Sequence, residues 1–242
     1  MVMNKGGNLT RRHDAWWQYL LLLFSVHCSL FTVSCSQDIY EKGEGKYSLM
    51  RGDFVEAMSD ANKQLVSMVT DDGEALPLLK PYSAKWIATS DSLYRCMLYY
   101  NKVENDNGSY AAEVISLGQV PCLRVKTLSE MEDEFRTDPL KLESSWLSKS
   151  GKYLNLRLQL KTGVTDDTAA IQKVGIVADT LIRYADNTSS LRLMLHHDQG
   201  NVPEYYSTTA YVSLPTDSLP ADTVCLSINT YDGLVRKRFV LR

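Results

Sequence analysis

The run Lys152-Tyr153-Leu154-Asn155-Leu156-Arg157-Leu158-Gln159-Leu160-Lys161 constrains this chain more than any other stretch. A strand turns successive side chains to opposite faces, so Leu154, Leu156, Leu158 and Leu160 share one face and the polar residues take the other. A helix would scatter leucines spaced by two around its axis. The leucine face is therefore core, and the rest of the chain must supply strands to cover it. Alternating runs follow at 191–197, 205–213, 223–229 and 234–241, and together they predict an antiparallel β-sandwich over 140–242. The stretch 169–180 reads as a further strand.

Ahead of this unit, short β-prone runs alternate with turn signals. Residues 54–58 and 64–70 lead into Asp71-Asp72-Gly73, a hairpin turn, and 75–79 returns. A second pair, 92–100 and 110–117, flanks Asn105-Asp106-Asn107-Gly108, and 120–127 adds one more strand. About five or six short strands in this space suit a small closed barrel, placed at 53–127. The stretch 128–139, with Ser129-Glu130-Met131-Glu132-Asp133-Glu134 and then Asp138-Pro139, breaks the pattern and is read as a linker.

In front of both units, residues 1–34 have the parts of an export signal. Lys5, Arg11 and Arg12 precede the apolar run Trp16-Trp17-Gln18-Tyr19-Leu20-Leu21-Leu22-Leu23-Phe24, and small residues approach Cys35. Ser25, His27, Cys28 and Ser29 dilute the second half, so the apolar core falls short of the roughly 20 residues that a spanning helix needs. Leu30-Phe31-Thr32-Val33-Ser34-Cys35 resembles the bacterial lipobox, with Thr32 where the usual pattern has leucine. Cys35 is thus the candidate lipidation site, and the chain reads as a cell-envelope lipoprotein of the outer membrane, periplasmic or surface-exposed. A plain secreted protein is the alternative. Residues 35–52 are polar and glycine-bearing, a tether between lipid and domain. Asp38, Glu41 and Glu44 resemble the surface-export signal of Bacteroidetes lipoproteins, although a solvated tether has the same composition.

The charge balance bears on partners once that segment is set aside. Of 26 Lys+Arg and 29 Asp+Glu, Lys5, Arg11, Arg12 and Asp14 leave with it, so 23 basic and 28 acidic residues stay, a net −5. Such a surface repels a phosphate backbone, and no nucleic-acid partner is expected. Cys28 and Cys35 belong to the front segment, leaving Cys96, Cys122 and Cys225 in the folded body. Two readings stand for these: one disulfide, with Cys96 and Cys122 the closer pair, or three buried thiols acting as small hydrophobes.

Little else looks catalytic. His196 and His197 are adjacent in a strand-like run, so they point to opposite faces and cannot readily chelate one ion; no metal or cofactor is expected. No Gly-x-Ser-x-Gly elbow frames a serine beside His197 and Asp198, and a hydrolase would require His197 to face a cleft. Asp71, Asp72 and Glu74 are explained by the needs of a hairpin turn. Of the tyrosine pairs Tyr99-Tyr100 and Tyr205-Tyr206, alternation predicts one core ring and one surface ring each.

The lipidation cysteine, Val69-Thr70-Asp71-Asp72-Gly73 with Leu76, Arg124-Val125, Tyr153-Leu154-Asn155-Leu156 and Leu195-His196-His197 together resemble the NigD-like family of Bacteroidetes envelope lipoproteins. The resemblance spans Cys35 to Arg242 and implies an all-β fold, an N-terminal OB-like barrel followed by a C-terminal β-sandwich. It implies a toxin-immunity role only by association with a bacteriocin gene cluster. The expectation is a non-enzymatic binding or adaptor module, anchored to the membrane by its lipid, for a glycan or an envelope protein; the alternative is an immunity protein that sequesters a toxin. Asp-Ser/Thr-apolar triplets resemble the O-glycosylation signal of the same lineage and make Ser92, Thr168, Thr180, Ser218 and Thr223 candidate sites.

Overall fold

The computed structural model describes Leu49–Arg242; Cys35, the expected export segment and nearly all of the expected tether lie outside the described residues. The N-terminal strands are β1 (Arg51–Ser59), β2 (Leu65–Thr70), β3 (Ala75–Tyr82), β4 (Leu93–Glu104) and β5 (Tyr110–Gln119). They form a closed barrel in the order β1-β2-β3-β5-β4. Antiparallel pairing of β1 with β4, Val55 opposite Cys96, closes one seam, and a parallel bridge from Leu78 of β3 to Ala112 of β5 closes another. Inward alternation fills the interior with Val55, Ala57, Leu65, Met68, Leu76, Cys96, Leu98 and Tyr100, all nearly solvent-free. Gly73, at φ +87°, makes the β2–β3 turn in the left-handed backbone that favours glycine.

The sandwich comprises β6 (Val125–Thr127), β7 (Lys141–Leu147), β8 (Tyr153–Thr162), β9 (Lys173–Arg183), β10 (Ser189–Asp198), β11 (Tyr206–Pro215), β12 (Thr223–Thr230) and β13 (Gly233–Val240). Five strands lie in the order β13-β12-β10-β9-β6, and three in the order β11-β8-β7. The leucine face of β8 lies between them, against Leu191, Leu193 and Leu195 of β10 and Leu226 and Ile228 of β12. At roughly 1.5–3 kcal/mol for each fully buried aliphatic side chain, the four leucines of this face contribute substantially to the core of the unit.

The structure differs from the sequence expectation at three places. The large sheet is mixed: β10 and β12 run parallel because the chain crosses to the other sheet as β11 between them, and β6 also runs parallel to β9. The run 120–127 is not a barrel strand. After Gln119, Pro121 has no amide hydrogen to give to a ladder, the chain bridges to Ser213, and Val125–Thr127 joins the sandwich as β6. Finally, 128–139 is no free linker. His197 donates its amide to the carbonyl of Arg136 at 3.0 Å, Asp138 donates its own to the carbonyl of His197 at 2.9 Å, and Phe135 packs on the His196 ring at 5.8 Å, so the segment lies on the sandwich.

Candidate functional site

The outer face of the five-stranded sheet carries a trough of about 870 Å³. Its floor is β12, whose core-facing residues Val224, Leu226 and Ile228 leave Cys225, Ser227 and Asn229 to point outward. These are small side chains. The neighbouring strands carry large ones: Cys225 lies between Arg192 of β10 and Arg238 of β13, and Ser227 lies between Met194 and Arg236. Short side chains flanked by long ones make a channel along the strand. At one end Asn229 donates to the carbonyl of Thr137 at 2.7 Å, and Phe135 and Leu234 join Met194 in an apolar lining.

The side chains of Arg192, Arg236 and Arg238 form no hydrogen bond or ion pair among the described residues. Asp179, the acidic side chain in the lining, sits beside the bulge opposite Arg192 and makes no ion pair with it. Each guanidinium therefore keeps a fork of donors for an outside acceptor.

A second cavity, about 620 Å³, opens between barrel and sandwich beside Tyr99 and Tyr211. The charged groups around that junction are already spoken for. Arg95, on the outer face of β4, holds both carboxylate oxygens of Asp71 at 2.6 and 2.7 Å, approaches Ser213 Oγ at 3.3 Å and Asn155 Oδ1 at 3.2 Å, and lies 4.0 Å from the centroid of Tyr153. Phe54 of β1 meets Trp146 and Tyr211 edge-on, each at 5.4 Å. Glu56 accepts from Lys152 Nζ and Tyr153 Oη at 2.9 Å each. Burial raises the Glu56 carboxyl, but those two hydrogen bonds together with the charges of Lys152 and Arg95 outweigh it and hold the group below the usual carboxylate range. The first part of the polar face of β8, Tyr153 and Asn155, thus packs on the barrel, while Arg157 farther along stays exposed.

The residues singled out from sequence fall as follows. Cys96 and Cys122 are not joined: alternation on β4 turns Cys96 into the barrel interior, while Cys122 is exposed beyond β5, and both are free thiols, as is Cys225. Burial pushes the Cys96 thiol up to about 12. Thr168, Thr180 and Ser218 are exposed, and Ser92 is half-buried with its hydroxyl given to the Ser90 carbonyl. Thr223 is buried at the start of β12, which removes its hydroxyl from the accessible candidates. His197 is 1% exposed, with Nδ1 against the Asp138 carbonyl at 2.8 Å and Nε2 against Gln172 at 3.0 Å. His196 is covered by Phe135 and bonded to Arg136. The hydrolase reading required His197 in a cleft, and this histidine is not in one. Among the described residues no group of three or more His, Cys, Asp or Glu is placed to hold a metal ion. Tyr100 is core and Tyr99 faces outward as alternation predicts, but Tyr205 and Tyr206 are both exposed, because Tyr205 lies in the loop before β11.

Sequence reasoning missed the arginines of the trough. A signal exists in Arg236-Lys237-Arg238 facing Cys225-Leu226-Ser227, but it becomes legible only with the pairing register.

Comparison with known proteins places this architecture. The family model of the NigD-like C-terminal beta sandwich domain matches residues 124–240. No curated protein matches the chain. Among solved structures, a NigD-like immunity protein from Bacteroides caccae is similar at a TM-score of 0.59 and 21% identity, covering 78% of this chain and 96% of that one. A protein of unknown function from Bacteroides vulgatus gives 0.59 at 15% identity, covering 79% and 90%. A structure from Parabacteroides distasonis, named as a candidate toxin-related protein, gives 0.55 at 15% identity, covering 78% and 92%. These likenesses extend over the barrel as well as the sandwich. Residues 124–240 thus match the NigD-like C-terminal beta sandwich domain, and the barrel-then-sandwich fold of the chain is shared with a solved NigD-like structure.

Proposed function

We propose that this chain is a non-catalytic binding protein, held at the outer membrane by lipid on Cys35, which engages a protein partner through the outer face of its five-stranded sheet. The observation that carries the reading is the trough along β12, with three guanidinium groups that nothing among the described residues occupies. A folded domain ordinarily scatters surface charges of both signs, and eight ion pairs elsewhere on this unit do so. A protein partner suits this face better than a neutral glycan, because recognition of sugar hydroxyls gains little from unpaired cations. The buried, bonded state of both described histidines supports a role without catalysis.

The test uses a photo-reactive amino acid at Ser227 in cells of the native host. It should cross-link a discrete partner, and the same probe at the exposed Lys80 of the barrel should not. Excess wild-type protein should compete, whereas the double variant Arg236→Glu, Arg238→Glu should not. Equal cross-linking from both positions, or none from Ser227, would overturn the reading.

An immunity role is the more specific form of it. Two of the similar structures are named as an immunity protein and a candidate toxin-related protein, and the trough supplies the charged surface that sequestering a toxin requires. Deleting the gene should sensitise the host to a toxin encoded beside it, with protection restored by the wild-type chain and not by the charge-reversed one.

A further inference from the structure

From the layout of the trough we infer that its occupant is an extended, acidic polypeptide segment, with carboxylates two residues apart and an apolar side chain beyond them. This rests on the binding reading above and adds the chemistry of the ligand.

Three observations carry it. Arg236 and Arg238 both point outward from β13 along one wall, and residues two apart in a strand are spaced by roughly 6.5–7 Å. An extended peptide lying along β12 presents its own alternate side chains at the same period, so carboxylates at i and i+2 face both guanidinium groups at once. Arg192 stands on the opposite wall in the row of Cys225 and Arg238, two strand spacings or about 10 Å across, which leaves the width of one backbone over the small-residue floor. Met194 faces Arg236 across Ser227, and beyond that row Phe135 and Leu234 offer an apolar end.

The width and the whole-chain charge together favour a short acidic segment over a long polyanion. The mature chain carries a net −5, which repels an extended polyanion as a whole. A segment within the trough meets chiefly the local arginines, since a Debye length is only about 8–10 Å at physiological salt.

The experiment is fluorescence anisotropy with the full chain in detergent. The probe is a labelled synthetic peptide of twelve residues, with aspartates at i and i+2 and a phenylalanine two positions later; its counterpart has asparagines for the aspartates. The acidic peptide should bind, weakening steeply as salt rises. The asparagine peptide, and separately the Arg236→Glu, Arg238→Glu variant, should each lose at least tenfold in affinity, while Lys80→Glu changes nothing. Peptide mapping after alkylation should show Cys225, on the trough floor, protected by the bound peptide. Thermal unfolding of the charge-reversed variant should match wild type, since both arginines point away from the core. Binding unaffected by charge reversal, no binding at all, or displacement of the peptide by polygalacturonate at equal carboxylate concentration would overturn the inference. If the Ser227 cross-link forms and the peptide does not bind, the ligand class is wrong and the docking face stands. If both fail, the binding reading falls with it.

Discussion

Asp71, the first residue of the β2–β3 hairpin turn, grips Arg95 of β4 with both carboxylate oxygens, at 2.6 and 2.7 Å, and so ties the barrel's turn to the face it presents to the sandwich. The side chain of Arg95 is 2% exposed and that of Asp71 17%, so the pair is largely withdrawn from water. Asn155 and Ser213 of the sandwich complete the guanidinium's shell. The motif Val69-Thr70-Asp71-Asp72-Gly73 and the motif Tyr153-Leu154-Asn155-Leu156, distant in sequence, meet at this one arginine.

Removing one partner of such a pair strands a buried charge. Asp71→Ala should therefore cost about 3–5 kcal/mol, read as a lowered midpoint in urea unfolding. The joint replacement Asp71→Leu, Arg95→Met should recover most of that loss. An Asp71→Ala protein of wild-type stability would show that the pair contributes nothing to the fold.

Glu56 gives the junction a dependence on pH. Its folded carboxyl is held below the value of 4.5 that it takes when free, so its contribution is present in full above about pH 4.5 and fades as pH falls through the folded value. Glu56→Gln should lose stability at pH 7 and show a shallower decline below pH 4.5 than wild type. Parallel stability curves for the two proteins would contradict the assignment.

His197 bonds the Asp138 carbonyl and Gln172 beneath the sheet. His197→Ala should cost about 1–3 kcal/mol, because it leaves buried polar groups unmatched. Partner cross-linking from Ser227 should persist below the new melting temperature. A histidine with a chemical role would show the reverse, loss of function at unchanged stability.

Gly200 follows β10 at φ +58°, and a Cβ built on it would lie 2.0 Å from the carbonyl oxygen of Ile171. Gly200→Ala meets backbone, which cannot swing aside, as well as a backbone conformation that alanine resists. Destabilisation by more than about 1 kcal/mol is expected in thermal unfolding.

Cys35→Ala should move the protein from the membrane fraction to the soluble fraction of the envelope. A variant that stayed membrane-bound would make the apolar run at 16–24 the anchor.

The all-β class, the barrel-then-sandwich order and the leucine face of β8 were legible in the sequence, because period-two alternation is a local property of the chain. That one ring of the Tyr99-Tyr100 pair is core and the other faces outward follows from the same local rule. Strand β7 was harder to see, since Leu142-Glu143-Ser144-Ser145-Trp146 does not alternate cleanly, and its register with β8 slips between Leu142 and Ser144. The end of the barrel was misplaced because Val125–Thr127 is as β-prone as any barrel strand, and only its pairing with β9 assigns it.

What the sequence determined by itself is which side chains share a face. What that face meets was decided by the tertiary structure. Asn155 alternates with leucines and would suit a solvated surface, yet it is 0% exposed because the barrel docks there. Arg236 and Arg238 alternate in the same manner, and nothing among the described residues docks on them. Local spacing is encoded in neighbouring residues, but burial and ion pairing depend on partners far along the chain, whose approach is set by the packing of whole sheets.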